Sequence, residues 1–286
     1  MKKILVTGAT GFIGKYVVES LLAEGHTVIA SSAHIEKAQS APWFPRVRYI
    51  PFDLTSFDPA TDYYRFFEEP DVMIHLAWEG LPNYKADFHL GVNLPRHTAF
   101  LGNLVEHGLR DLTVTGSCLE YGLTEGCLRE DMPASPIHAY GRAKEALRVF
   151  LEQLGNEYHF PVKWARLFYM YGKGQSPNSL LSQLDKALEK GEASFNMSGG
   201  QQERDYLPVE QIAGYIVSIA LQKEVTGVIH VCSGQPIKVR QVVEDHLRQV
   251  GKTITLNLGH YPYTDYEPMA FWGDPVKLQT ILKKRN

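Results

Sequence analysis

Gly8-Ala9-Thr10-Gly11-Phe12-Ile13-Gly14, close to the start of the chain, decides how the rest is read. It follows directly on the run Lys3-Ile4-Leu5-Val6-Thr7 and opens a stretch with helical periodicity that stops at Gly25. Strand, glycine turn and helix in that order carry a physical meaning. Glycine makes the turn tight and lets a pyrophosphate approach the backbone. The helix start supplies unpaired N–H groups and positive partial charge for that anion. The glycine spacing alone would also suit a plain turn between a strand and a helix. In this context it predicts dinucleotide binding, with Gly8, Thr10, Gly11, Phe12, Ile13 and Gly14 against the cofactor.

Working outward, apolar strand-like runs recur at residues 27–30, 47–51, 72–77, 112–115, 162–168 and 228–231. Helical patterns fall between most of them, at 88–107, 137–157 and 179–190. Alternation of this kind predicts an α/β fold, a Rossmann-type doubly wound parallel sheet with helices on both faces. The unbroken apolar character of 72–77 suits a strand buried on both sides. Beyond about residue 169 the rhythm loosens into short pieces at 194–197, 205–209 and 253–258. The stretch 259–273 is rich in Tyr and Pro. The expected organisation is a dinucleotide-binding domain over 1–168 and a small C-terminal substrate-binding lobe over 169–286, with 205–235 partly returning to the main sheet.

The 29 basic and 32 acidic residues leave a formal charge of −3, without the basic footprint of a nucleic-acid or anionic-membrane binder. Cys118, Cys127 and Cys232 form no CxxC, and the histidines show no HExxH spacing, so neither a disulfide nor a metal site is expected. The apolar run after Met1 stops at Thr7, far short of a signal peptide, and no stretch approaches a membrane span. The expectation is a cytoplasmic protein with no nucleic-acid or membrane partner.

An NAD site usually offers Asp or Glu to the adenosine ribose at the end of the second strand. Here Ser31-Ser32-Ala33-His34 stands there, with Lys37 following. No carboxylate repels a 2′-phosphate, and hydroxyls, an imidazole and an ammonium are present to receive one. NADP(H) is therefore favoured, with NAD(H) the alternative and a solvated loop the bland reading. Asp53 closes the third strand, where it suits either adenine N6 or a helix cap.

Tyr140 and Lys144 stand four apart in a helical pattern, on one face and one turn apart. A phenol titrates near pKa ~10 and serves poorly at neutral pH unless a cation stabilises its charged form, which Lys144 is placed to do. Lys144 is also placed to bond the ribose of a nicotinamide nucleotide. Ser117 closes the fifth strand, and strand C-terminal ends are where such sheets assemble their sites. Its hydroxyl there suits a substrate carbonyl or a turn cap. Ser117, Tyr140 and Lys144 together predict carbonyl/alcohol redox, with hydride passing between nicotinamide and carbon and the proton moved by Tyr140.

The chain resembles the extended short-chain dehydrogenase/reductase family, the nucleotide-sugar epimerases, dehydratases and reductases. The resemblance rests on GATGFIG, Asp53-Leu54, HLAW at 75–78, Asn93 in VNLPRHT, GSCLEYG at 116–122, YGRAK at 140–144, ARLFYMYG at 165–172, RDYLPVE at 204–210 and HVCSG at 230–234. It implies that Ser117, Tyr140 and Lys144 are catalytic. It also implies that Leu54, Leu76, Ala77, Trp78, Asn93 and Leu167 join the glycine turn and Asp53 around the dinucleotide. By the same resemblance Arg204 contacts the diphosphate of a nucleotide sugar, with a structural ion pair as its alternative. Glu79, Cys118, Leu119 and Tyr169 fall on the substrate side, and His75 and Trp78 fall near the nicotinamide.

The departures narrow the activity. Dehydratase relatives place an Asp-Glu pair where Cys118 and Leu119 stand, so dehydration is not expected. Tyr169 replaces an Asn common in epimerases, and Thr264 stands where relatives often use Arg. Cys118 fits either a proton carrier or a buried, inert thiol, the second preferred. The resemblance is nearest to reductases of dTDP-4-keto-6-deoxyhexoses. It implies NADPH-dependent reduction at C4 of a nucleotide-diphosphate sugar by a homodimer paired through the 88–107 and 137–157 helices. The rivals are a 4-epimerase with tightly bound NAD and a non-catalytic dinucleotide sensor.

Overall fold

A computed structural model describes residues 1–285. Seven strands form one sheet: β1 (Lys3–Thr7), β2 (Thr27–Ser31), β3 (Arg48–Tyr49), β4 (Val72–His75), β5 (Leu112–Ser117), β6 (Val162–Leu167) and β7 (Gly227–Val231). Every pairing is parallel, and the spatial order is β7-β6-β5-β4-β1-β2-β3. Each strand grew from one of the seven apolar runs. β4 is buried throughout, as a strand covered on both faces must be.

Alternation along β1 divides the core. Ile4 and Val6 face a layer built from α1 (Phe12–Ala23) and α5 (Val209–Leu221), through Val17, Leu21, Ile212 and Ile216. Leu5 faces the other layer, made by α2 (Leu94–Glu106) and α3 (Ala139–Glu157) through Phe100, Leu104, Leu147 and Leu151. A buried side chain of this kind contributes roughly 1.5–3 kcal/mol. These layers fix the strand ends on which the site is built.

Residues beyond 168 serve both regions. Within 205–235, β7 pairs into the main sheet and α5 packs on its face. So does α7 (Val276–Arg285), whose Leu278 and Ile281 enter the core beside α1 and α5. A separate cluster holds α4 (Leu180–Glu189) to α6 (Val239–Val250) through Leu184, Phe195, Val243 and Leu247. Short sheets tie the pieces together, pairing Glu203–Pro208 with Tyr169–Tyr171 and with Pro236–Lys238. The 88–107 helix divides: His89–Asn93 winds as a π-helix before α2 begins. Pro95 has no N–H to return to the carbonyl four residues earlier, which favours a wider turn there.

No helix among the described residues is long and apolar enough to cross a membrane.

Candidate active site

The glycine turn requires its glycines. Gly8 has φ +70°, and a Cβ there would lie 2.8 Å from the Ala77 nitrogen. A Cβ on Gly14 would lie 2.1 Å from the Gly8 carbonyl oxygen. Gly11 caps α1 with no side-chain bond, so the N–H groups of the first turn remain for an outside acceptor. A cleft of about 290 Å³ opens here at the C-terminal ends of β1, β2 and β4. Gly8, Thr10 and Gly11 form its floor. Ser31, Ser32 and His34 approach from β2, and Asp53 and Leu54 from beyond β3. Leu76, Ala77 and Trp78 close it from β4, together with Glu79, which the sequence placed on the sugar side. Open backbone donors and Cβ-free walls fit a dinucleotide.

Other expected cofactor residues act at a distance from that cleft. Phe12, Ile13 and Gly14 lie in the first turn of α1 and contribute backbone. Leu167 is packed in the core behind the sheet. Asn93 is 2% exposed, and its amide donates to the Glu79 carbonyl (3.0 Å), fixing the loop after β4. Asp53 accepts the Thr55 N–H (2.8 Å), which gives it the cap geometry and holds its carboxyl below the ordinary value.

The hydroxyls after β2 are less available than their sequence suggests. Tyr49 donates its one hydroxyl hydrogen to the Ser32 carbonyl (2.9 Å), so Ser32 is the donor in the 2.8 Å contact between the two hydroxyls. Thr10 donates to the same Ser32 oxygen (3.0 Å). Ser32 therefore has no hydrogen left for a phosphate, and Ser31 is buried. His34 alone of the three reaches the cleft exposed and, among the described residues, without a hydrogen bond.

β5 delivers Ser117 to the cap of a short turn, Cys118–Tyr121, where its hydroxyl accepts the Leu119 N–H (3.2 Å). The cap reading and the catalytic position coincide. Beneath the turn Glu120 is fully buried. It accepts from the Ser117 N–H (2.7 Å), Trp164 Nε1 (3.0 Å) and Arg166 Nε (2.7 Å), which locks the end of β5 to β6.

The start of α3 lies against this turn, and a Cβ on Gly141 would sit 2.9 Å from the Leu119 carbonyl. The Gly141 N–H donates to His138 Nδ1 (3.1 Å), and the Tyr140 N–H donates to the Tyr84 carbonyl (3.0 Å). The phenol of Tyr140 is thereby brought to Ser117. Burial pushes its pKa well up, with Glu120, Tyr84 and Cys118 adding, while the Ser117 hydroxyl opposes. Tyr140 is a proton donor at neutral pH.

Lys144, expected to tune that phenol directly, is 2% exposed and rests on Trp78, with Nζ 4.3 Å from the indole centroid. Burial lowers its own pKa to about 8, opposed by Glu120. Among the described residues Nζ has no hydrogen-bond or ion-pair partner, so its donors are left for a ligand. Trp78 also stacks on His97 (4.6 Å) and donates to His89 Nδ1 (3.1 Å). His97 in turn meets His75, and His75 meets Thr7, each at 2.8 Å.

A larger cleft of about 530 Å³ adjoins the site, with Tyr84, Tyr169 and Glu267 among its walls. The Tyr169 hydroxyl is buried without a partner, among the described residues. Burial holds the Tyr84 phenol up at about 12. Arg204 does not reach this cleft. It is 1% exposed and donates to Glu267 (3.1 Å) and to the Met269 carbonyl (3.1 Å), so the structure holds its ion-pair alternative. Leu119 is buried, and burial raises the Cys118 thiol far above its ordinary value, which keeps it protonated and unreactive.

Tyr84, His97, Glu120 and Glu267 were not singled out from sequence. They come from four separate segments with no shared spacing, and only folding brings them together. His138 carried one legible signal, its place just before a helical run.

The sequence profile of the NAD dependent epimerase/dehydratase family matches residues 4–232, and the chain belongs to that family. Among curated relatives, dTDP-6-deoxy-L-talose 4-dehydrogenase (NAD(+)) of Aggregatibacter actinomycetemcomitans is 28% identical, over 94% of this chain and 98% of that one. The NAD(P)(+) form from Kitasatospora kifunensis is 28% identical over 87% and 79%. A UDP-glucuronic acid 4-epimerase from Bacillus cereus, solved with UDP-glucuronic acid and NAD, superposes with a TM-score of 0.84 at 24% identity, covering 98% and 93% of the two chains. The protein is therefore an enzyme of a nucleotide-sugar family that works with a nicotinamide dinucleotide.

Proposed function

We propose that the protein reduces the 4-keto group of a nucleotide-diphosphate-linked 4-keto-6-deoxyhexose, the dTDP-linked sugar first among candidates, with NADPH favoured and NADH the alternative. One observation carries this reading: a buried, protonated Tyr140 phenol beside the Ser117 hydroxyl, its ring 6.0 Å from that of Trp78, which lines the cleft fit for a dinucleotide. The 4-dehydrogenase relatives add support, since a 4-dehydrogenase run in reverse is a 4-ketoreductase.

The reduced nicotinamide, when bound, supplies the hydride to C4. Tyr140 gives its proton to the C4 oxygen, and Ser117 bonds the same oxygen and holds the carbonyl in place. Lys144 offers its unpartnered donors to the ribose and keeps positive charge near the phenol as the proton leaves. The larger cleft receives the sugar nucleotide, with Tyr84, Tyr169 and Glu267 as its polar groups.

The test follows reduced-nicotinamide absorbance with NADPH, then NADH, after adding dTDP-4-keto-6-deoxyglucose, with the sugar product identified by NMR. Stoichiometric oxidation supports the reading, and a flat trace removes it. A second reading, a 4-epimerase holding NAD, is favoured by the committed Ser32 hydroxyl, which cannot donate to a 2′-phosphate. It predicts the flat trace together with interconversion of dTDP- or UDP-hexoses. A homodimer is proposed as well, through α3, α2 and the π-helix before it, where Val149, Leu90 and Val92 stand exposed; light scattering tests it.

A further inference from the structure

His138 occupies the cap position of the helix that carries Tyr140 and Lys144, a place usually held by Ser, Thr, Asp or Asn. The bond it makes there fixes its protonation. The Gly141 backbone can only donate, so Nδ1 must offer a lone pair, and the ring is neutral with its hydrogen on Nε2. A second proton would place N–H against N–H and put a cation at the positive end of a helix. The ring cannot readily retreat, because it is 5% exposed and stacked on Tyr84 (5.7 Å) and Tyr140 (6.2 Å), with Tyr266 edge-on at 6.4 Å.

We infer that His138 is a positioning residue: its neutral imidazole holds the first turn of α3, and protonation releases that turn, drawing Tyr140 away from Ser117 and switching the site off in acid. Among the described residues one other backbone N–H of that turn is bonded outside the helix, that of Tyr140, to the Tyr84 carbonyl. Because Tyr84 is itself stacked on His138, movement of the ring disturbs both restraints at once.

The charged and titratable neighbours come from every element packed on the ring. Lys85 and Tyr84 lie in the loop after β4, and His89 lies in the π-helix. Tyr140 and Arg142 belong to α3 itself, and Asp265, Tyr266 and Glu267 reach in from the C-terminal stretch. Burial pushes the imidazole below its ordinary value, with His89 and Lys85 adding, while a bond to its own backbone and the Glu267 charge pull the other way. The folded protein thus releases this proton more readily than the unfolded chain. The cap is whole above about pH 6.5, the ordinary imidazole value, and is eroded as pH falls below it.

This switch rests on the proposed reaction for its activity readout, so the test carries a second readout that needs no turnover. His138→Ser keeps an acceptor oxygen at the cap but cannot titrate, and His138→Ala removes the acceptor. Keto-sugar reduction and Tm, the latter without substrate, are measured from pH 5 to 8 for all three proteins. The expected result has three parts. Native activity and Tm fall together below about pH 6.5 with a one-proton midpoint. His138→Ser stays flat across that range. His138→Ala is impaired about fivefold at pH 7.5, the factor one lost cap carries. A His138→Ser protein with a native-like acid limb in activity and Tm overturns the inference and transfers the limb to another group such as His89. If no protein turns over any keto sugar, the reaction is misassigned, and the Tm contrast alone decides the role of His138.

Discussion

The ammonium of Lys144 rests 4.3 Å from the indole centroid of Trp78, buried and with no hydrogen-bond or ion-pair partner among the described residues. A cation over an aromatic face gains from the ring quadrupole, but less than it gives up in water. That imbalance lowers the lysine to about 8. The site is thus a strained place for a charge, and the strain is relieved only by donors finding a ligand.

Lys144→Met should therefore be more stable than the native protein while losing turnover. Removing the desolvated charge gains on the order of 3 kcal/mol at neutral pH. Between pH 8 and the ordinary lysine value the unfolded chain holds a proton that the folded chain has released, so native stability rises with pH across that window. In the Met variant this rise disappears. Urea unfolding at pH 7, 8.5 and 10 measures both effects, and a less stable Met variant at pH 7 would contradict the assignment.

Tyr140→Phe deletes the proton donor and keeps the ring that packs against Trp78 and Tyr84. Turnover should drop about 10²–10⁴-fold. Dinucleotide affinity and Tm should stay close to native. Fluorescence titration of reduced nicotinamide separates binding from chemistry, and near-native turnover would exclude Tyr140 from the reaction.

Tyr49→Phe should change the choice of cofactor from 17 residues away. Without the Tyr49 hydroxyl, the Ser32 hydrogen is free to point into the cleft. A new bond to a charged phosphate is worth about tenfold in NADPH over NADH preference. The ratio of kcat/KM with the two cofactors reads it directly, and an unchanged ratio means that Ser32 does not face the 2′ position.

Glu267→Ala strands the buried Arg204 guanidinium and should cost about 3–5 kcal/mol. Replacing both residues, with Arg204→Met and Glu267→Leu, should recover much of that loss, because no charge is then left uncompensated. Denaturant midpoints of the singles and the double settle it. A double variant no better than Glu267→Ala would show that the pair is not the source of the cost.

The parts of the fold set by local pattern were legible in advance. All seven main-sheet strands arose from apolar runs, and the glycine turn fell where strand, turn and helix met. α7 was assigned to the lobe because the ten residues Val276–Arg285 follow a Tyr- and Pro-rich stretch. Their place against α1 is a long-range packing choice. Ser117, Tyr140 and Lys144 were singled out by spacing and strand position, but the indole beside Lys144 was not. A four-residue step says which helix face two side chains share, but not that an indole from β4 lies against the ammonium. Ser32 shows the same limit: it lines the cleft, but its hydrogen is claimed by Tyr49 on a neighbouring strand, and no local pattern records that. Arg204 had an ion-pair alternative in view, but its partner lies 63 residues away.

The two clefts are fed by different stretches of chain. Every residue lining the cofactor cleft falls within 7–100, whereas the larger cleft, Pro82 and Tyr84 apart, is lined from beyond 168. Mutations can therefore accumulate in the later stretch and alter the cargo while the machinery of hydride and proton transfer is inherited intact. Descendants of one ancestor can then share a reaction and part company over the sugar, and likeness in the first hundred residues is a poor guide to what each one carries.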